Sequence, residues 1–335
     1  MKISVVIPTF NRSRLLARTI PALLHQQIED FSYEVIFVSN GSSDRTAEVL
    51  TEAAAQYPGR IRYFHIDPTG GPSAPRNHGI RAATGDIVII LDDDVLPEND
   101  LILQHARFHR RHPEAQHAAL GCVYVPDDLR DDPMSFFHTF PYHEIEHRDT
   151  LSFLYFWTCN VSLKREFMLQ AGMFDESFLY YEDMICGHRL ASGGMQLHFV
   201  SGARGQHLHQ LRPADLPAKG RFLGRWLVPF AERIPETVVK ERFGILSADI
   251  GFPLLAKRLL RRAAFRAADN AVTRILLRML GAANGKRSRL SDAYYFLIFR
   301  RNLLAGYYEA LRERRAGNPI HQNQTSSQYA EKGHS

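Results

Sequence analysis

The chain has 335 residues, 45% hydrophobic and 23% charged, the balance of a globular protein with room for one large core and a smaller appendage. Its net charge of +5 hides an asymmetry: residues 1–214 carry 19 basic and 26 acidic side chains (net −7), and residues 215–335 carry 22 and 10 (net +12). Three widely spaced cysteines (Cys122, Cys159, Cys186) argue against a disulfide framework or a zinc knot and suit a reducing cytoplasm.

In chain order, residues 3–7 form a short apolar strand, too brief for a signal-peptide core. The turn Pro8-Thr9-Phe10-Asn11-Arg12 follows, then helical spacing over 15–25. A second apolar strand over 34–39 is broken by Asn40-Gly41-Ser42-Ser43-Asp44, and a helix over about 46–57 carries Ala47, Leu50 and Ala54 on one face. A third strand covers 61–66, Gly70-Gly71-Pro72 is loop, and 73–83 is helical. The fourth strand, 86–91, ends in Asp92-Asp93-Asp94.

Strands and helices alternating at this spacing imply an α/β fold with parallel pairing through right-handed crossovers. Ligands in such sheets bind beyond the carboxyl ends of the strands. The polar clusters at 9–12, 39–44 and 92–94 all lie at such ends, so one fold brings them to one edge. Further strands are expected over 118–125, 156–165 and 197–200, with an acidic loop at 127–132 and a helix over 179–191. From Phe222 helical patterns dominate, and 318–335 is polar and expected to be disordered. The division is a body over 1–214 (a nucleotide half to about 115 and an acceptor half after it), a helical basic extension over 215–317 and the tail. There is no internal repeat. No apolar run approaches the about 20 residues of a spanning helix.

The stretch that ends in three aspartates is the most informative. Crowded carboxylates raise one another's pKa, and a hard divalent cation (Mg²⁺ or Mn²⁺) bound by one or two of them plus substrate phosphates removes that cost. In an extended chain Asp92 and Asp94 share a face. Asp94 and then Asp92 are therefore assigned to metal and diphosphate, with Asp93 left to ribose or a water bridge.

Residues 91–94 resemble the Asp-X-Asp element of glycosyltransferase family 2, inverting enzymes with the GT-A fold, a Rossmann-like and mostly parallel sheet flanked by helices. Other segments are similar in the same order: residues 4–12 to the opening strand and turn, 38–44 to the nucleotide-binding turn, 71–79 to the loop and helix before the metal strand, and 172–176 followed by Glu182-Asp183 to the acceptor-side motif. The resemblance covers about residues 3–210. It implies transfer of a sugar from a nucleoside-diphosphate-sugar to a saccharide or lipid-linked acceptor in cell-envelope or polysaccharide synthesis. It implies Asp183 as the base on the acceptor hydroxyl, with Glu182 orienting it or binding acceptor. Where the family usually has Asp, this chain has Ser39, which leaves the donor nucleotide open. The competing reading is a metal-dependent nucleotidyltransferase acting on sugar phosphates, although residues 8–12 lack the glycines of a triphosphate loop.

Nucleotide-sugar contacts are expected from Pro8 (also a turn former), Thr9, Asn11, Arg12, Ser39, Asn40, Arg76, Asn77, Asp92 and Asp93, with Asn40 on the base and Arg76 and Asn77 on diphosphate or ribose. Asp44 is expected to cap the following helix. His207, ahead of His209, is the candidate third metal ligand. Trp157 either stacks on an acceptor sugar or sits in the core, and Asn160 is placed beside the acceptor. His105, His109 and His112 read as solvated helix-face residues. The basic segments, such as Lys257-Arg258-Leu259-Leu260-Arg261-Arg262, suit helices on an anionic membrane surface or a packed helical subdomain or oligomer contact. No nucleic-acid module is evident. The expected location is the cytoplasm, peripheral on the inner face of the membrane.

Overall fold

The computed structural model describes residues 1–138, 140–208, 211–234, 269–282 and 286–317, with residues 263 and 267. His209, the basic stretch at 257–262 and the expected disordered tail lie outside the described residues. The chain divides into two compact units, the first including Met1–Pro126 and Thr139–His209, the second Asp127–His138 and Gln210–His321.

In the first unit the described residues form an eight-stranded sheet of order β3-β2-β1-β4-β7-β6-β8-β5. Its strands are β1 (Lys2–Thr9), β2 (Ser32–Asn40), β3 (Ile61–Ile66), β4 (Ile87–Leu91), β5 (Val95–Pro97), β6 (His117–Tyr124), β7 (Asn160–Lys164) and β8 (Gln196–His207). Helices α1 (Ser13–Leu24), α2 (Thr46–Gln56), α3 (Ser73–Ala82), α4 (Leu101–Arg111), α5 (Arg165–Gln170) and α6 (Glu182–Ser192) connect and cover them. β1, β2 and β4 are buried along nearly their whole length. That burial is why their sequences carry consecutive apolar residues (Val5 to Ile7, Val35 to Val38, Ile87 to Leu91) rather than alternating ones. Gly79 of α3 lies against β1 so closely that a Cβ there would meet the Val6 side chain at 2.4 Å.

The parallel pairing expected over residues 3–91 is observed for β1, β2, β3 and β4. Beyond them the sheet is mixed. β7 runs antiparallel to both β4 and β6, and β5 antiparallel to β8. Antiparallel neighbours need no crossover helix, so βα alternation does not signal them. β8 is much longer than the expected 197–200 because a register shift between Leu120 and Cys122 lets it follow β6 to its end. α6 begins at Glu182, not residue 179, because Ser177 caps back onto Asp175 and Tyr181 is left-handed (φ 62°).

At the amino end of the central strands Glu34 is 2% exposed and gathers four donors. Ser4 Oγ (2.8 Å), Thr84 N (2.9 Å), Thr84 Oγ1 (2.5 Å) and Arg62 Nη1 (3.0 Å) all reach it. Burial opposes its charge, but those bonds outweigh it and hold its pKa at about 2.

The solvated reading of the α4 histidines is overturned. His105 is 0% and His109 3% exposed, and His112 is half-buried with its ring stacked on His198. His105 and His109 bond β7 through Asn160 Oδ1 (2.9 Å) and Ser162 Oγ (2.8 and 2.9 Å). A histidine at i and i+4 faces inward when the facing strand offers polar partners at every second residue.

The second unit contains α7 (Leu216–Arg233), α8 (Ala271–Ala282) and α9 (Arg289–Arg315). α7 and α9 meet backbone to backbone: a Cβ on Gly224 would lie 1.9 Å from Leu303 O, and one on Gly306 2.0 Å from Arg221 O. Arg225–Glu313 (2.6 Å), Arg314–Glu232 (3.0 Å) and Arg221–Glu309 pair along the seam. Among the described residues no helix is long and apolar enough to cross a membrane.

Candidate active site

The three polar clusters do lie at the carboxyl ends of β1, β2 and β4. At the end of β4 the chain does not stay extended. Val95 N bonds Asp92 O at 3.1 Å, so the aspartates occupy a turn, pinned from the other side by Asp92 N to Cys159 O at 3.3 Å. The extended-chain rationale for shared faces is therefore corrected. Asp92 faces Arg76 (Oδ1 to Nη2, 3.0 Å), Asp93 faces Arg12 (3.5 Å), and Asp94 faces His207 (Oδ1 to Nε2, 3.9 Å). β5 makes the last pairing: its register sets Val95 opposite His207, and Leu208 N bonds Asp94 O at 2.8 Å.

Glu182 and Asp183 open α6, where the amino-terminal dipole favours carboxylates. Arg76 brings them to the aspartate corner, since its Nη1 donates to Glu182 Oε1 at 2.6 Å while Nη2 holds Asp92. The two expected halves of the site thus share one cluster: five carboxylates (Asp92, Asp93, Asp94, Glu182, Asp183) against two arginines, Arg12 and Arg76.

That crowding shows in the protonation equilibria. Burial, then the Glu182 charge, pushes Asp183 up to about 7. Burial, with Asp94 adding to it against the pull of Arg12, pushes Asp93 up to about 7. Asp92 keeps a third of its side-chain surface yet is raised too, by desolvation first and by Asp94. Burial works against the charge on Arg76, but Asp92, Glu182 and Asp183 outweigh it and keep the guanidinium firmly protonated.

Several expected contacts have other work. Pro8 is buried in β1. Ser39 is 0% exposed and bonds Ser42 Oγ at 2.8 Å. Asn11, left-handed at φ 52°, accepts from Ser43 N (2.8 Å) and Asp44 N (3.3 Å). Asn40 clamps the 69–71 loop through Thr69 N (2.8 Å), Thr69 Oγ1 (2.9 Å), Thr69 O (3.2 Å) and Gly71 O (3.2 Å), so its amide is spent before any base arrives. Asn77 is 2% exposed and ties α3 to Phe174 N (2.9 Å), Phe174 O (3.0 Å) and Glu176 Oε1 (2.8 Å). Arg76 is 4% exposed, with both terminal nitrogens taken by carboxylates. Asn160 is fully buried, bonded to His105 and to Ala203 O (2.9 Å), and Trp157 is a core residue among Phe140, Tyr142 and Tyr155.

Asp44 caps as expected, and twice: Oδ1 accepts from Thr46 N (2.9 Å), Oδ2 from Ser13 N (3.2 Å) and Ser13 Oγ (2.8 Å), closing the starts of α1 and α2 together. Thr9 lies beside Asp93; Arg12 and Asp92 keep part of their surface exposed, while Asp93 and Asp94 are 9% exposed. Sequence reasoning does not single out Tyr180. It is 36% exposed, and its hydroxyl is pushed up by burial and then by Asp183, which sets it next to the Glu182–Asp183 pair. The signal was the aromatic pair immediately before that acidic dipeptide.

Asp94, Asp92 and His207 supply the oxygen and imidazole donors that Mg²⁺ or Mn²⁺ accepts. Among the described residues no three His, Cys, Asp or Glu side chains form a ready metal cage.

The family model "Glycosyl transferase family 2" matches residues 4–170. Validoxylamine A glucosyltransferase from Streptomyces hygroscopicus subsp. limoneus is 30% identical over 224 residues, 58% of this chain and 49% of its own length. Poly(ribitol-phosphate) beta-glucosyltransferase from Bacillus spizizenii is 30% identical over 33% of this chain and 17% of its own length. The chain thus spans about half the length of the first relative and much less of the second. In structure it is similar to mannosyltransferase PcManGT from Pyrobaculum calidifontis in complex with GDP-Man and Mn2+ (TM-score 0.57, 19% identity, 93% of this chain and 87% of that one).

Proposed function

The chain belongs to glycosyl transferase family 2 and carries its GT-A-type fold, and from that premise we propose that it moves a sugar, with inversion, from a nucleoside-diphosphate-sugar to a saccharide or lipid-linked acceptor in cell-envelope or polysaccharide synthesis. Family membership favours glycosyl transfer over the nucleotidyltransferase alternative. The observation that carries the proposal is the single cluster holding the aspartate corner and the Glu182–Asp183 pair, with Arg76 between them.

In this reading Asp183 is the base. A carboxylate poised at about 7 is half ionised at neutral pH and takes the acceptor hydroxyl proton. The acceptor oxygen bonds the anomeric carbon as the bond to the diphosphate oxygen breaks, so one displacement inverts the centre. Arg12 and Asp93 face the ribose side of the donor. Asp94, Asp92 and His207 would hold Mg²⁺ or Mn²⁺ with the diphosphate, a cation whose chemistry there is to neutralise leaving-group charge. The basic second unit supports an anionic membrane surface as a further partner at the inner face of the cell membrane: on α8, Val272, Ile275, Leu276 and Met279 are 52–67% exposed, with exposed Arg278 among them.

Purified protein with Mn²⁺ and a panel of nucleotide sugars tests the proposal, with product configuration read by NMR. Transfer with inversion supports it, and a retained anomer overturns it. Asp94→Ala is expected to lose cation-dependent donor binding.

A further inference from the structure

Arg76 was expected to grip the donor, yet it has no free fork to offer. Nη1 is committed to Glu182 at 2.6 Å and Nη2 to Asp92 at 3.0 Å, and Nε is buried with no hydrogen-bond partner. Its guanidinium carbon lies 5.5 Å from the centre of the Phe174 ring. The neighbouring Asn77 makes three bonds to residues 174 and 176, so α3 is fastened to the segment leading into α6 at two successive residues. Tyr181, held in the left-handed region at φ 62°, then delivers Glu182 directly to that guanidinium. A non-glycine residue persists there only when its surroundings over-determine it.

We propose that Arg76 is a positioning residue that couples the two halves of the site: by holding Asp92 and Glu182 in one rigid fork, it fixes the acceptor-side pair Glu182–Asp183 relative to the donor corner. The inference rests on the assignment of Asp183 as base and Asp92–Asp94 as donor corner. Two features of the chemistry support it. A planar guanidinium can satisfy two carboxylates in fixed directions at once, which an ammonium cannot. And Glu182 and Asp183 are successive residues at the start of α6, so the bond that fixes Glu182 also fixes Asp183, which burial first and then Glu182 raise and Arg76 lowers.

The test is a double-mutant cycle between Arg76→Met and Glu182→Gln, with Arg76→Lys alongside. It uses the full chain, Mn²⁺ and the nucleotide sugar that proves to be the donor in the panel above. Donor affinity is read by calorimetry, and kcat is expressed per donor-binding site so that unfolded protein does not count. A loss of geometry should lower kcat roughly 100-fold in Arg76→Met and in Glu182→Gln, change donor Kd much less than kcat, and be no worse in the double variant than in the weaker single. Arg76→Lys should keep donor binding without restoring kcat. If Arg76→Met does not fold, the Arg76→Lys and Glu182→Gln pair carries the same cycle. Losses that multiply in the double variant, or a donor Kd raised tenfold or more with kcat unchanged, overturn the proposal and return Arg76 to direct donor contact. Asp183→Asn in the same assay separates the premise: transfer surviving there removes the base assignment, whatever the cycle shows.

Discussion

Ser162→Ala should be among the most destabilising single-atom deletions in the protein. Hydrogen-bond direction is fixed around Ser162 by Lys164, whose ammonium only donates. It reaches His109 Nδ1 (2.9 Å), so that nitrogen accepts and Nε2–H donates to Ser162 Oγ (2.9 Å). The serine hydroxyl then donates to His105 Nδ1 (2.8 Å), His105 Nε2–H donates to Asn160 Oδ1 (2.9 Å), and Asn160 Nδ2 donates to Ala203 O (2.9 Å). The chain runs one way, requires both imidazoles neutral, and ties β7 to α4 and β8. Removing the hydroxyl strands one donor and one acceptor in a site where His105 is 0% exposed. At about 1–3 kcal/mol for each unsatisfied buried group, the loss is about 2–6 kcal/mol.

The same geometry gives an acid response. Burial lowers His105 to about 4, below the 6.5 of an ordinary imidazole. The folded state therefore binds fewer protons, and the stabilisation is complete above pH 6.5 and is lost as pH falls toward 4, to a ceiling of about 3 kcal/mol for His105. Urea melts of parent and Ser162→Ala at pH 7.5, 6 and 5 measure both effects. A variant within about 0.5 kcal/mol of the parent at pH 7.5, or a folded-state His105 titrating near 6.5 by NMR, would refute the directed chain.

Asp183→Asn should retain donor binding and lose transfer, and because burial holds Asp183 at about 7, kcat/KM of the parent should rise with pH through 7; a flat profile from pH 6 to 8 would remove Asp183 as base. Gly224→Ala forces a methyl to within 1.9 Å of Leu303 O and should cost at least about 1–3 kcal/mol by separating α7 from α9, read as a lowered urea midpoint. Val272→Asp with Met279→Asp on α8 should abolish co-sedimentation with phosphatidylglycerol vesicles while leaving melting behaviour unchanged; unchanged sedimentation removes the membrane partner.

The strand-end clusters were legible because long apolar runs stop abruptly at polar residues: Ile7 before Thr9, Val38 before Asn40, Leu91 before Asp92. β5 was not, since Val95–Pro97 is three residues long and carries no period. Yet it is β5 that brings His207 to Asp94. The structural bonds of the asparagines were not legible for a related reason. Asn11, Asn40 and Asn77 have the residue type of a ligand contact, but each spends its amide on neighbouring backbone and side chains, and only the contact distinguishes the two uses. The α4 histidines had a readable partner signal in hindsight: Asn160, Ser162 and Lys164 put polar groups at every second position of an otherwise apolar strand.

The electrostatics of the cluster constrain how the donor can enter. Five carboxylates against Arg12 and Arg76 leave a formal net charge of −3 before any substrate arrives, and a diphosphate adds more of the same sign in a cleft that already penalises charge on Asp92, Asp93 and Asp183. Two routes relieve this. A divalent cation can enter with the diphosphate, or Asp93 and Asp183, both at about 7, can take up protons. Protonating Asp183 disables it as the proposed base, so the proposed reaction favours the first route. The routes differ in measurement. If the cation enters, donor affinity collapses on chelation by EDTA and changes little between pH 8 and 6. If protons do the work, affinity survives EDTA and strengthens as pH falls, while transfer slows over the same range. Survival of tight donor binding in EDTA at pH 8 would contradict the charge argument itself, because neither source of positive charge would then be present.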